Sequence, residues 1–315
     1  MTRRHRQRSR IVPWLALPLA LACSEPERTD APATPSAEVP LSVWVVNYPL
    51  QYFAERIGGA HVEVTFPAPR GVDPAFWSPD GDTVAGFQSA DLVLLNGAGG
   101  SAWVGRATLH ADRLVDTALG FADRLIAIEA APTHQHGPTG SHSHGGSYFT
   151  VWLDPWLALE QARAIATAFS AARPERADAF ERGLAALEAD LLDLDARLSR
   201  AARSFGDDPV LFSHPVYAYL TARYELRARS VHWEPGAEPD AAQWRDLERS
   251  RADPPASVMF WEATPLGATT ARLTALGIES RVYSPCANVP ARGDWLDVMR
   301  ANAEALAAGP RPGRG

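Results

Sequence analysis

The 315-residue sequence contains no lysine, so arginine carries all of its basic charge. It has only two cysteines, Cys23 and Cys286. If Cys23 is lipidated, Cys286 has no intramolecular partner, so no disulfide framework exists and the folded body must be held by a hydrophobic core. No apolar run reaches the roughly 20 residues needed to span a bilayer as a helix. G-x-S-x-G, the phosphate-binding G-x-x-x-x-G-K-[ST], G-x-G-x-x-G and H-E-x-x-H are all missing, and with them the common signatures of hydrolases, nucleotide enzymes and zinc proteases. Excess positive charge is missing too. Thirty basic residues face 37 acidic ones, a net charge of -7. Without the five arginines of the first ten residues it falls to about -12, a surface unsuited to nucleic acid and compatible with a cation ligand.

What is present begins with an address. Arg3, Arg4, Arg6, Arg8 and Arg10 precede the apolar run Ile11 to Ala22 and then Cys23. A basic segment, a short apolar segment and small residues before a cut describe an export signal. Leu19-Ala-Leu-Ala-Cys23 resembles a bacterial lipoprotein signal in which Cys23 becomes the lipidated first residue, although Ala20 stands where that signal prefers Leu. The division expected is a signal over 1–23 and a disordered tether over 24–40, rich in Pro, Ala, Ser, Thr and acids. The folded body would then sit outside the cytoplasm, on a membrane anchor.

Four of the nine histidines, His134, His136, His142 and His144, fall within eleven residues of Gly, Ser, Thr, Pro and Gln. Such a tract cannot build a core and reads as a solvent-exposed loop over 133–146. Neutral imidazole suits Zn²⁺ and its first-row neighbours, so the loop reads as a metal-handling arm; an accidental polar tract is the plainer reading.

The body alternates strand and helix patterns. Strands are expected at Leu41–Val46, Val62–Phe66, Asp91–Asn96, Leu125–Ile128, Val210–Phe212, Val258–Trp261 and Arg281–Tyr283. Helices are expected at Tyr52–Ile57, Asp82–Ala90, Pro155–Ala171, Pro215–Tyr224, Thr269–Leu276 and Trp295–Ala308. Pro174 to Phe205 has no internal proline, and Phe180, Leu184, Leu187, Leu191, Leu194 and Leu198 recur every three or four residues. That spacing predicts one amphipathic helix of roughly 45 Å. The fold class expected is α/β: two lobes with parallel sheets, 41–172 and 207–309, joined by a long rigid helix over 173–206, with a ligand cleft between them.

In this order, Asp73-Pro74, Pro79, Gln88-Ser-Ala-Asp-Leu-Val93, the His-rich loop, Trp152-Leu-Asp-Pro155, the long helix and Ser213-His-Pro-Val-Tyr-Ala-Tyr219 resemble the cluster A-I solute-binding proteins of bacterial zinc and manganese ABC importers. The resemblance runs from about Leu41 to Leu306. It implies a periplasmic-binding-protein-like fold with the metal between the lobes, capture of a divalent transition metal, zinc above all and Mn²⁺ as an alternative, and delivery to an ABC permease. It implies no enzyme activity, a monomer, and little lobe movement on binding, because a long helix resists hinging.

The family's four ligands, carried over by position, meet Ala75, Thr150, His214 and a place near Ser284. Only His214 is a metal donor of the expected kind. A Zn²⁺ site needs three or four donors at about 2.0–2.3 Å. The candidates to complete it are Asp73, two residues from Ala75, Glu262 at the end of a strand, and His142 and His144 folding back from the loop, with His134 and His136 beside them. Cys286, His232 and Glu234 are further donors in reach by sequence. Each has an ordinary reading: Glu262 can pair with an arginine, Asp73 can cap a turn, Cys286 can be a small buried hydrophobe. Trp44, Tyr48, Phe76, Trp77, Trp152, Tyr217, Tyr219, Trp233 and Trp261 approach the same region and read mostly as core. An aromatic-lined cleft for an organic solute or metal chelate is one rival reading, and a secreted metallohydrolase another.

Overall fold

The structure is a computed structural model that describes residues 39–128, 146–249 and 255–310, together with the backbone of two short strands between the first two stretches. The signal, the tether up to residue 38 and most of the His loop therefore lie outside the described residues.

Two four-stranded sheets, each wholly parallel, organise the chain. In the first, β1 (Leu41–Val45) lies between β2 (Val62–Thr65) and β3 (Leu92–Leu95), and β4 (Leu114–Asp116) completes the order β2-β1-β3-β4. Helix α1 (Tyr48–Gly58) starts four residues before the apolar pattern predicts. Asn47 caps it by accepting from the Leu50 N–H at 3.1 Å, and Pro49 occupies the first turn, where a missing N–H costs nothing. Helix α2 (Gly81–Ser89) is capped in the same way by Asp80.

Leu125–Ile128 does not form the predicted strand. Its backbone is clasped instead by the far side of the His loop, through a single bridge between Ala127 and Ser147 and the bond from Tyr148 N–H to Ile126 C=O at 2.9 Å. The sheet edge is β4, three residues too short to register as a pattern. Within the loop the backbones of β5 (His134–Gln135) and β6 (Ser141–His142) pair antiparallel.

Helix α3 (Pro155–Ala172) starts at the Asp154 cap. After a single tight turn at Pro174–Arg176, helix α4 (Ala177–Arg203) runs 27 residues, about 40 Å at 1.5 Å per residue. It buries Phe180, Leu187, Leu191, Leu194 and Leu198 against α1, α3 and the C-terminal helix. Gly183 permits this: a Cβ there would stand 2.3 Å from the Ile57 carbonyl oxygen of α1.

The second sheet contains β7 (Val210–Phe212), β8 (Ala228–Ser230), β9 (Val258–Trp261) and β10 (Glu279–Val282) in the order β10-β9-β7-β8. Its helices are α5 (Ala218–Arg223), α6 (Ala241–Arg249), α7 (Gly267–Ala275) and α8 (Trp295–Ala307). Followed along the chain, both sheets share one wiring. The first strand is central, the second takes one flank, and the third and fourth take the other. The strand order thus reverses between β1 and β3, and again between β7 and β9, the positions where open α/β sheets receive ligands at their C-terminal edges.

Helix α8 does not stay with its own sheet alone. Trp295 packs its ring 5.6 Å from that of Tyr52 and 5.0 Å from that of Phe53, both on α1. Asp190 of α4 accepts from Arg56 of α1 at 2.7 Å and from Arg300 of α8 at 3.1 Å. Further bonds join the two halves. Trp152 Nε1 donates to Pro285 C=O at 2.8 Å, Tyr219 OH to Tyr148 C=O at 2.8 Å, and the Tyr48 N–H to Ala287 C=O at 3.0 Å. Of the aromatics near the cleft, Trp152, Trp233, Trp261 and Tyr217 are fully buried core, whereas Phe76 is exposed.

Candidate functional site

The site stands where the second sheet reverses. His214 follows β7 by two residues and Glu262 follows β9 by one. Pro215 keeps His214 extended, at φ -136° and ψ 157°, so the chain leaves the strand without turning into a helix at once. The backbone here is fixed on both sides: Ser213 N–H donates to Phe260 C=O at 2.8 Å, and Ser213 C=O accepts from the Trp233 N–H at 2.7 Å. The imidazole is nine-tenths buried. Its Nδ1 lies 3.0 Å from Glu262 Oε1 and its Nε2 lies 3.4 Å from Glu234 Oε1. The ring of His232 is centred 6.2 Å away.

The corresponding positions of the first sheet are closed. Asn47 follows β1 by two residues, Asn96 follows β3 by one, and the Asn47 amide donates to Asn96 Oδ1 at 2.9 Å. Gln161 of α3 donates to Thr117 Oγ1 at 2.8 Å beside them, and the Asn96 amide holds Phe149 C=O at 2.8 Å. Sequence reasoning missed this buried amide network. The available signal was asparagine placed immediately after each of two buried strands.

Asp73 opens a turn, its Oδ1 accepting from the Ala75 N–H at 2.9 Å. The loop that carries it is fastened to the C-terminal half by the Asn288 amide, which donates to Pro69 C=O and Val72 C=O at 2.7 Å each. Its charge is felt at His214. Burial pushes the His214 imidazole toward neutrality, but the carboxylates of Glu262, Glu234 and Asp73 outweigh it and raise its pKa above 6.5. This contribution to stability is fully present below the unfolded value and fades as pH rises through the raised folded one. With a chelator present, the melting-temperature difference between wild type and His214→Gln should therefore be larger at pH ~6 than at pH ~9. A pH-independent difference would show that the imidazole does not carry this charge.

The three positions where the resemblance implies ligands are otherwise engaged. Ala75 has only a methyl group. Thr150 is buried, and its hydroxyl donates to the Val216 carbonyl. Ser284 is clamped by Asn302, whose side chain pairs with its N–H at 2.9 Å and its C=O at 2.7 Å. Cys286 is buried, and burial together with Asp294 pushes its thiol up to about 12, so it stays protonated at neutral pH. His136 and His144 lie outside the described residues, and only the backbone of His134 and His142 is described. The structure thus brings His214, Glu262 and Asp73 into one neighbourhood. Among the described residues no three His, Cys, Asp or Glu side chains have donors gathered tightly enough to share an ion as they stand.

Known proteins share this architecture. The metal-dependent lipoprotein YcdH from Bacillus subtilis superposes with a TM-score of 0.74 at 22% identity, over 86% of this chain and 99% of that one. The Zn(II)-bound ZnuA-like domain of Streptococcus pneumoniae AdcA gives 0.73 at 21%, over 87% and 100%. At these identities the likeness speaks for the fold. In sequence, the zinc-binding lipoprotein AdcA of Streptococcus pneumoniae is 24% identical over 297 residues, covering 91% of this chain, and this chain spans only 57% of AdcA. The high-affinity zinc uptake system protein ZnuA of Bacillus subtilis is 24% identical over 277 residues, covering 84% of this chain and 86% of its own. The family model described as zinc-uptake complex component A, periplasmic, matches residues 43–309. That span runs from within β1 to the end of α8, and the chain belongs to this family of solute-binding components.

Proposed function

We propose that this protein captures a divalent transition metal, Zn²⁺ above all, at the reversal point of the second sheet and hands it to an ABC permease. The carrying observation is His214, a nine-tenths buried imidazole placed at a strand end between two carboxylates, with a third within electrostatic reach. The relatives whose names include zinc support the choice of metal. Titration of Zn²⁺ alone, without chelating additives, into the purified mature chain tests the reading. Absence of binding would defeat it, and binding only of a metal–chelate complex would favour the organic-ligand alternative.

The finer parts of this reading concern segments the structure leaves undescribed. Cys23 is the lipidated residue of a monomeric protein anchored outside the cytoplasm, as the apolar run ending in Ala-Cys and the lipoprotein relatives suggest. Cys23→Ser should release a soluble protein. Retention of the variant in the membrane fraction, with no lipid mass on the wild type, would remove the anchor. The His loop serves as a capture arm. Deleting 133–146 should leave the fold intact, because shortening a polar surface loop changes closure entropy by less than about 1 kcal/mol. It should lower metal stoichiometry or uptake rate more than the affinity of the tightest site. A large fall in melting temperature with chelator present would show that the loop is structural.

A further inference from the structure

We propose that the ion is held by His214 Nε2, Glu234 and His232 of the second lobe, and that Glu262 is not a ligand but the residue that orients His214. This rests on the metal-capture reading above and assigns the donors within it.

The distances separate the two carboxylates beside His214. Nδ1 lies 3.0 Å from Glu262 Oε1, a distance from which a small turn of the ring or the carboxylate aligns an N–H···O bond. A metal-bound imidazole ordinarily gives its second N–H to a carboxylate, which fixes the tautomer and leaves the other nitrogen for the ion. Nε2 then faces Glu234 Oε1 at 3.4 Å, beyond ordinary hydrogen-bond length. Two donors at about 2.0–2.1 Å from one tetrahedral ion stand about 3.3 Å apart. Glu234 is thus spaced from Nε2 as a fellow ligand is.

His232 is the second imidazole. Its ring centre is 6.2 Å from that of His214, and the planes cross at 77°. Two imidazoles on one tetrahedral Zn²⁺ have centres about 5 Å apart, so a modest side-chain rotation closes the difference. The backbone at His232 has φ +56°, a left-handed conformation uncommon for a residue with a Cβ. Such strain gathers where a side chain has to be aimed. It is held there by Trp233 N–H donating to Ser213 C=O and by the Gln243 amide donating to His232 C=O at 3.4 Å. As described, the carboxylates lean on His214 and no three donors meet. Loading therefore means turning His232 and drawing Glu234 from the imidazole onto the ion, while Glu262 stays in place.

The test uses the mature chain with its four loop histidines changed to serine in every version, so that only cleft imidazoles are counted. Zn²⁺ titration and X-ray absorption at the zinc edge are applied to this background and to His232→Asn, Glu234→Gln and Glu262→Gln. Asparagine tolerates positive φ, so His232→Asn keeps the backbone, and its melting temperature with chelator present should match the background. His232→Asn and Glu234→Gln should each weaken Zn²⁺ binding by more than roughly a hundredfold, and His232→Asn should lower the imidazole count from two to one. Glu262→Gln should weaken binding by roughly ten- to a hundredfold and leave both imidazoles on the metal. Tight binding through a single imidazole in the background, or unchanged affinity in His232→Asn, would overturn this ligand set and leave metal capture standing. No Zn²⁺ binding by the unaltered chain would defeat both.

Discussion

Replacing His214 with alanine is expected to weaken Zn²⁺ binding by at least about a hundredfold. Each tenfold corresponds to about 1.4 kcal/mol, and losing one of three or four donors to a transition metal amounts to a few kcal/mol. The substitution also removes the imidazole whose nitrogens lie 3.0 Å from Glu262 and 3.4 Å from Glu234. A histidine that served only as an ion-pair partner would give a different result, a modest change in melting temperature and an unchanged Kd. Calorimetric titration of both proteins decides the matter. Equal affinities would take His214 out of the site, and with it the residue on which the metal reading chiefly stands.

Gly183→Ala is expected to destabilise the fold by about 2 kcal/mol, although the same change on an exposed helix face would gain about 1 kcal/mol. The sign is decided by what the new methyl group meets. It would lie 2.3 Å from the Ile57 carbonyl oxygen, 2.8 Å from Ile57 Cα and 2.9 Å from the Arg56 carbonyl oxygen. All three are backbone atoms, so no side chain can swing aside. Helix α1 cannot withdraw cheaply, because Arg56 is tied to Asp190 of α4 at 2.7 Å and Phe53 is packed on Trp295. For a domain of this size the loss corresponds to a fall of roughly 4–8 °C in melting temperature. A rise would mean that α1 and α4 do not touch at this point.

The sheets and the long helix were legible because their signals are strong: buried apolar runs such as Val258–Trp261, and a leucine recurrence sustained from Leu184 to Leu198. β4, β8 and α6 were not. β4 and β8 have three residues each, and β8 is Ala-Arg-Ser at a sheet edge, with two of its three residues exposed. A strand held mainly by its ladder bonds leaves no hydrophobic pattern to read. Leu125–Ile128 had the pattern, but its backbone pairs with Gly146–Tyr148 rather than with the sheet. At the site, His214 was legible because the family resemblance places a metal donor there and because it follows the strand Val210–Phe212. The occupation of the other positions was not. Nothing in the sequence tells that the Thr150 hydroxyl reaches Val216, more than sixty residues away, or that Asn302 clamps Ser284.

Trp295 belongs to the last described helix, yet it completes the packing of the first described one. A ribosome releases α1 long before α8, so Tyr52 and Phe53 wait through synthesis of more than two hundred residues for the indole that covers them. The second sheet closes from segments no more than about seventy-five residues apart, whereas this contact spans nearly the whole body, and long loop closures come late in folding. A chain cut short before Asp294 would leave two aromatic rings of α1 bare and Asp190 without Arg300. Such a fragment would lose the packing and the ion pair by which α8 ties α1 and α4 together.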